Sequence, residues 1–444
     1  MTKRIKQTAA VLVLLLFLLC INGCSFDFAS VESLMRAPKL TGESAEIERA
    51  FETAVGNSVS LLSPRSGEYR TAFVLYDYDA DGREEAIAFY SDNATAHIHF
   101  LDYVNGEWVS CDDEIGSENE VHELLFRDLN NDGIVEIIVN FNSKHSNRTM
   151  SVYSVTPTSQ DGLLQVQLMS TVQYSSYVCM DMDFDGSAEI LYTVLEVSVD
   201  TGVNIPFVRV LKHVHDSQGS RMDVVASLPL YNGITAIAAL AADSFENQVR
   251  VYIDCLYHDA QTMITEVVTW TADSGYMLLL HKHESASLLK TTRSSALYTE
   301  DLDKDGVMEI PGEYEMPASV FSNVAEGLIP IAVGRNQYHC MNDGTLALVK
   351  AEFQDPSGCF VMDLLQLGYY GRVSISYDFV AEETGFYLYD SMQSARGERL
   401  FSISLKEING ETGVIFDISE TGTALGLTPD LIRSAMTMIE TEVN

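Results

Sequence analysis

The chain has 444 residues, 46% of them hydrophobic, with 64 acidic residues against 27 basic ones and a formal net charge of −37. That balance excludes nucleic acid as a partner, because phosphate binding needs a basic surface. It also directs the folded body away from anionic lipid and keeps it soluble.

Lys3, Arg4 and Lys6 precede an apolar run from Ala9 to Leu19, too short for a stable membrane span and patterned as a secretory signal. Ile21-Asn22-Gly23-Cys24 follows and resembles the lipobox of bacterial lipoproteins. That resemblance implies cleavage before Cys24, its acylation, and anchoring on the extracytoplasmic face of a membrane through acyl chains. The expected division is a signal peptide over 1–23 and a tether over 24–40. Loss of the three leader cations takes the net charge to −40. Thr41 is placed to cap a helix over 41–56, with Ile47, Ala50, Phe51, Ala54 and Val55 on one stripe, Gly56 at its end, and packing on the domain that follows.

Next comes the pattern Asp-x-Asp/Asn-x-Asp-Gly-x-x-Glu, four times. The candidate ligand positions are Asp77, Asp79, Asp81, Arg83 and Glu85; Asp128, Asn130, Asp132, Ile134 and Glu136; Asp181, Asp183, Asp185, Ser187 and Glu189; and Asp301, Asp303, Asp305, Val307 and Glu309. Oxygen-bearing side chains at alternate positions, a glycine that turns the chain and a late carboxylate able to offer two oxygens form a cage suited to calcium. The twelfth positions are Ala88, Val139, Tyr192 and Gly312, so no helix-loop-helix hand fits. Asp and Gly also favour tight turns without metal. Asn130 lowers the charge of the second copy, which is expected to bind more weakly.

β-branched and apolar runs flank each loop, as in Ala72–Leu75 and Ala86–Tyr90, so each is read as joining two strands of a hairpin. The starts at Asp77, Asp128 and Asp181 recur about every fifty residues, and Asp301 follows after nearly two periods. One repeat is therefore expected to have lost its loop near 241–246. Units of this length with about four short strands are the signature of propeller blades.

The four loops and their spacing resemble the FG-GAP/VCBS-type calcium-loop β-propellers, the repeat class of integrin α-subunit heads. The Phe-Gly and Gly-Ala-Pro signatures of that class are missing here. The resemblance implies a mainly β fold: a propeller of about five four-stranded blades over 57–315, with Ca²⁺ at its hairpin loops and a role in binding. Residues 316–444 lack the acidic loop and read as a separate α+β domain, with strands near 360–365, 372–377, 385–389 and 399–405. Its final helix is capped by Thr428, begins at Pro429 and carries Leu431, Ile432, Ala435, Met436 and Ile439 on one side. One larger seven-bladed propeller is the alternative.

Beyond Cys20 and Cys24, five cysteines remain, and only Cys340 and Cys359 are close enough to suggest a disulfide. The pairs His97/His99, His213/His215 and His281/His283 alternate as strand residues do and could seat a transition metal. No short catalytic motif occurs. The expected function is that of a lipid-anchored binding or scaffold module for an extracellular protein, peptide or glycan; a polysaccharide-acting enzyme and a structural envelope component are the alternatives.

Overall fold

A computed structural model describes residues 42–142, 147–157, 163–197, 202, 204–217, 219–283, 286–327, 330–408 and 411–439. The leader, Cys24 and the tether lie outside them, and with them the expectations of secretion and lipidation. The chain divides into two units, Met1–Asn57 and Ser58–Asn444.

In the first unit a helix runs over Glu43–Val55 with Ile47 and Phe51 buried, and Gly56 closes it by donating its N–H to the Glu52 carbonyl at 2.9 Å. Thr41, the expected cap, is outside the described residues; Gly42 is the N-cap and supplies no side-chain hydrogen bond.

The second unit is mainly β. Among the described residues it forms six antiparallel-rich sheets, the first four in chain order, as successive blades of a propeller-type fold are, and the last two interleaved in sequence. Sheet I contains Phe73–Tyr76, Glu85–Asp92, Thr95–Val104 and Glu107–Ile115, with Ser60–Leu61 at one edge; sheet II contains Val121–Arg127, Glu136–Phe141, Arg148–Pro157 and Leu164–Tyr174. Sheet III contains Ser176–Met180, Glu189–Val197, Asn204–Asp216 and Gly219–Pro229. Sheet IV contains Ile234–Phe245, Gln248–Tyr257, Thr262–Thr271 and Gly275–Leu278, with Arg293–Ser294 beside them.

The cores lie between successive sheets because the strand following each loop is buried on both faces. In Glu136–Phe141, Ile137, Val139 and Phe141 join Phe89, Phe100 and Phe126 between sheets I and II. Ile138, on the opposite face, joins Ile190, Tyr192 and Val194 between sheets II and III. A period of two with both faces apolar produces the continuous hydrophobic runs seen in the sequence.

The expected boundary at 315/316 is corrected by pairing. Glu309–Glu315 hydrogen-bonds to Val333–Cys340, so sheet V continues through Leu346–Gln354 and Phe360–Asp363. A strand that has one partner only through an isolated bridge needs the other on its second edge. Sheet VI, from Val320–Ser322, Val373–Asp378, Glu383–Asp390, Ala395–Ile408 and Glu411–Ile418, packs on sheet V through Phe353, Phe360, Phe386 and Phe401. The region after 316 is thus two more sheets rather than an independent α+β domain. Six sheets are formed among the described residues.

The final helix is also shorter than expected. Thr428 caps it, its hydroxyl accepting from the Leu431 N–H at 3.2 Å, but it spans only Pro429–Ser434. Met436–Met438 instead forms a strand on Phe360–Met362 and closes sheet V. All five described cysteines are free, Cys340 and Cys359 included.

Candidate cation sites at the hairpin loops

Each acidic loop joins the first two strands of its sheet: Tyr76 pairs with Glu85, Arg127 with Glu136 and Met180 with Glu189. In sheet V the first strand is reduced to a single bridge, Glu300 to Glu309. All four loops share one hydrogen-bond plan. The glycine N–H at position six donates to the first carboxylate at 3.1, 2.9, 3.0 and 3.0 Å. The N–H of Arg83, Ile134, Ser187 and Val307 donates to the fifth-position carboxylate at 2.8, 2.8, 2.9 and 2.8 Å. Position four is left-handed without being glycine: Ala80, Asn131, Phe184 and Lys304 have φ of 62°, 60°, 59° and 64°.

The ninth-position glutamates are buried, and one oxygen of each accepts a backbone N–H from position two: Tyr78 at 3.0 Å, Leu129 at 2.7 Å, Met182 at 2.8 Å and Leu302 at 2.7 Å. That oxygen keeps a second lone pair, and the other oxygen is turned toward the loop's side. Position two buries Tyr78, Leu129 and Met182 in the cores between sheets, so the same residue fixes the loop to the fold and aims its glutamate.

What meets the second oxygen distinguishes the loops. In the first, no side chain among the described residues pairs with Glu85 Oε1, and Asp77 Oδ1 is buried without a hydrogen-bond partner. In the second, Asn130 donates to Glu136 Oε1 at 3.1 Å. In the third, Lys212 Nζ lies 2.7 Å from Glu189 Oε1, 2.6 Å from Asp183 and 2.9 Å from Asp185. In the fourth, His339 Nε2 lies 2.7 Å from Glu309 Oε1.

Carboxylate oxygens gather within 4.8 Å in three loops: Asp77, Asp79, Asp81 and Glu85; Asp181, Asp183, Asp185 and Glu189; Asp301, Asp303 and Glu309. Asp305 and Glu309 also gather with His339. These clusters can hold a metal ion. The second loop, with Asn130, makes no such group of three.

Charge crowding shows in the carboxyl groups. Burial pushes Glu85 up to about 8; the Tyr78 N–H opposes this, and Asp79, Asp102 and Asp77 add to it. Burial likewise takes Glu136 up to about 7, opposed by the Leu129 N–H and reinforced by Asp132 and Asp128. Burial alone would lower the Lys212 ammonium, but hydrogen bonds to Asp183, Glu189 and Asp185 outweigh it and hold the group above the ordinary lysine range.

Sheet IV replaces the loop with a two-residue turn, Glu246-Asn247, both at positive φ. Its hairpin carries a buried ion pair: the Arg250 guanidinium donates twice to Asp243 at 2.8 Å and once to the Cys340 carbonyl, and Tyr252 donates to Asp243 at 2.9 Å. Asp243 also accepts the Met308 N–H of the fourth loop at 2.8 Å.

Among the described residues no cluster of three metal-ligating side chains includes a histidine of these pairs. His97 and His99 each place Nδ1 2.8 Å from Asp113, which Tyr90 also reaches at 2.7 Å. His215 meets Ser220 and His281 meets the buried Glu266; the His283 side chain is outside the described set. Lys212, Asp102 and His339 were missed from sequence because each reaches its loop from the third strand of its sheet.

No protein-family model matches the chain, and no curated protein matches it in sequence. Among solved structures it is similar to a protein from Lactobacillus plantarum at 11% identity and a TM-score of 0.26, over 80% of this chain and 86% of the other. It is similar to rhamnogalacturonan lyase from Bacillus licheniformis at 13% identity and 0.29, over 77% and 71%. It is also similar to Sqt1 of Chaetomium thermophilum at 11% and 0.28, over 74% of each. Similarities this low carry no functional argument.

Proposed function

We propose that this chain is a calcium-stabilised binding scaffold of the FG-GAP/VCBS type, displayed outside the cell and anchored through acyl chains on Cys24. The observation that supports calcium is the shared loop geometry, in which hard oxygen donors converge and Asp77 Oδ1 stays buried without a partner. A buried unpaired carboxylate oxygen is costly, and a divalent ion would compensate it. A cleft of about 650 Å³ lined by Ile205, Pro206, Leu230, Asn232, Ile234 and His258 offers a place for a peptide or glycan, mostly apolar with a few polar groups among its lining.

Calcium should raise the melting temperature of the purified protein, and excess chelator should lower it again. An unchanged melting temperature contradicts the calcium assignment. Cys24→Ser should move the protein from the membrane fraction to the soluble one, or leave an unprocessed precursor; tight retention of a correctly cleaved variant contradicts the lipid anchor.

A further inference from the structure

We infer that Lys212 is the built-in cation of the third loop, so that Asp181–Glu189 closes its hairpin without metal while the first loop takes a divalent ion. This rests on the calcium reading only for the loops other than the third.

The geometry is that of a replaced ion. An ammonium has three protons, and Lys212 Nζ meets three carboxylates at 2.6, 2.9 and 2.7 Å, those of Asp183, Asp185 and Glu189. These are positions three, five and nine, the ones that would ligate calcium. The Lys212 side chain is 17% exposed and that of Glu189 is fully buried, so the contact is shielded from screening. Asp181 Oδ1 has no hydrogen-bond partner, as Asp77 Oδ1 has none in the first loop, and Glu189 Oε1 meets Nζ as an ion pair at 2.7 Å, so what separates the two loops is the ammonium itself.

The strand register explains why only this loop is closed in this way. Glu309 stands opposite His339 in sheet V. Extending the strand pairing by one residue puts Asp102 across from Glu85, Ser154 across from Glu136 and Lys212 across from Glu189. One position on the third strand therefore carries an added carboxylate, a hydroxyl, an ammonium or an imidazole. Asp102 is 8% exposed, and its charge acts on Glu85. The first cage thus gains a negative charge where the third gains a positive one. For calcium to enter the third, it would have to displace a paired ammonium or share the cage with it at roughly 4 Å. Either weakens binding on the order of 100-fold or more relative to the first loop.

The test is bound calcium per chain, by equilibrium dialysis of the full protein and of Lys212→Met, with melting in calcium and in chelator. The inference expects Lys212→Met to bind one more equivalent than the wild type, to melt lower in chelator and to recover in calcium. A variant that binds no additional calcium, or is not rescued, overturns it. If Lys212→Met does not fold, Asp79→Asn and Asp183→Asn decide: the first should lose one equivalent and the second none. Loss of an equivalent in Asp183→Asn overturns the lysine assignment. A wild type that binds no calcium, beside a Lys212→Met that binds one, overturns the divalent ion of the first loop and the general calcium reading with it, and leaves the lysine assignment of the third loop standing.

Discussion

The first and third loops share a motif, a turn geometry and a place in their sheets, yet they meet opposite charges from the neighbouring strand. Asp102 crowds the first cage and Lys212 neutralises the third. A nine-residue motif therefore specifies the hairpin, while the identity of the cation is decided by a residue outside it. Sheet IV takes the same logic further, with a tight turn and a buried Asp243–Arg250 pair where its neighbours have loops. A fixed cation costs the desolvation of its own charge and is tolerated because carboxylates stand within ion-pair distance of it.

The contrast should be widest in its pH dependence. Glu85 in the metal-free fold is raised to about 8 from an ordinary 4.5, so it binds its proton more tightly folded than unfolded. Its contribution to stability is fully present below pH 4.5 and is lost as pH rises through 8, on the order of 4 kcal/mol at most. Glu136, at about 7, adds to the same trend. Metal-free protein should melt progressively lower from pH 5 to 8, Glu85→Gln should flatten much of that slope, and calcium should abolish it. A metal-free melting temperature that rises over this window contradicts the account.

A smaller effect is expected from the third loop. Lys212→Met in chelator leaves Asp183, Asp185 and Glu189 without their cation and should cost about 3 kcal/mol, measured by denaturant unfolding. A cost below about 0.5 kcal/mol would mean that the ion pairs are mere surface contacts. Asp102→Asn is its mirror image and the mildest change. Relief of repulsion should stabilise the metal-free protein by about 1 kcal/mol and weaken calcium binding about tenfold. If it leaves both quantities unchanged, Asp102 does not act on the first cage.

Much of this was legible in the sequence because it is local. The loops, their hairpins, the end of the helix at Gly56 and the Thr428 cap are all set by residues a few positions apart. Asp102 was missed, although a local signal places it. Asn93-Ala94, both at positive φ, make a two-residue turn that fixes the register of Glu85–Asp92 against Thr95–Val104. Lys212 has no such signal, since the connection between Glu189–Val197 and Asn204–Asp216 is longer and leaves the register open. The closing of sheet V by Met436–Met438 depends on pairing with a strand far away in sequence, which no local pattern encodes. The apolar stripe near Met436 therefore read as more helix. The boundary at 315/316 failed for a related reason: the acidic loops stop there, but the sheet they belong to does not.

The account turns on whether these loops bind calcium and whether that binding holds the fold. Titrating calcium into the metal-free full-length protein by calorimetry, with melting recorded on the same samples, tests both together. With a Kd of ~0.1 mM, each occupied loop contributes about 1.4 kcal/mol at ~1 mM free ion, so up to three open loops give about 4 kcal/mol. The account predicts saturable binding at more than one but fewer than four equivalents, with melting temperature rising in step. Four equivalents would contradict the closed third loop; no binding, or binding without stabilisation, would contradict the central claim.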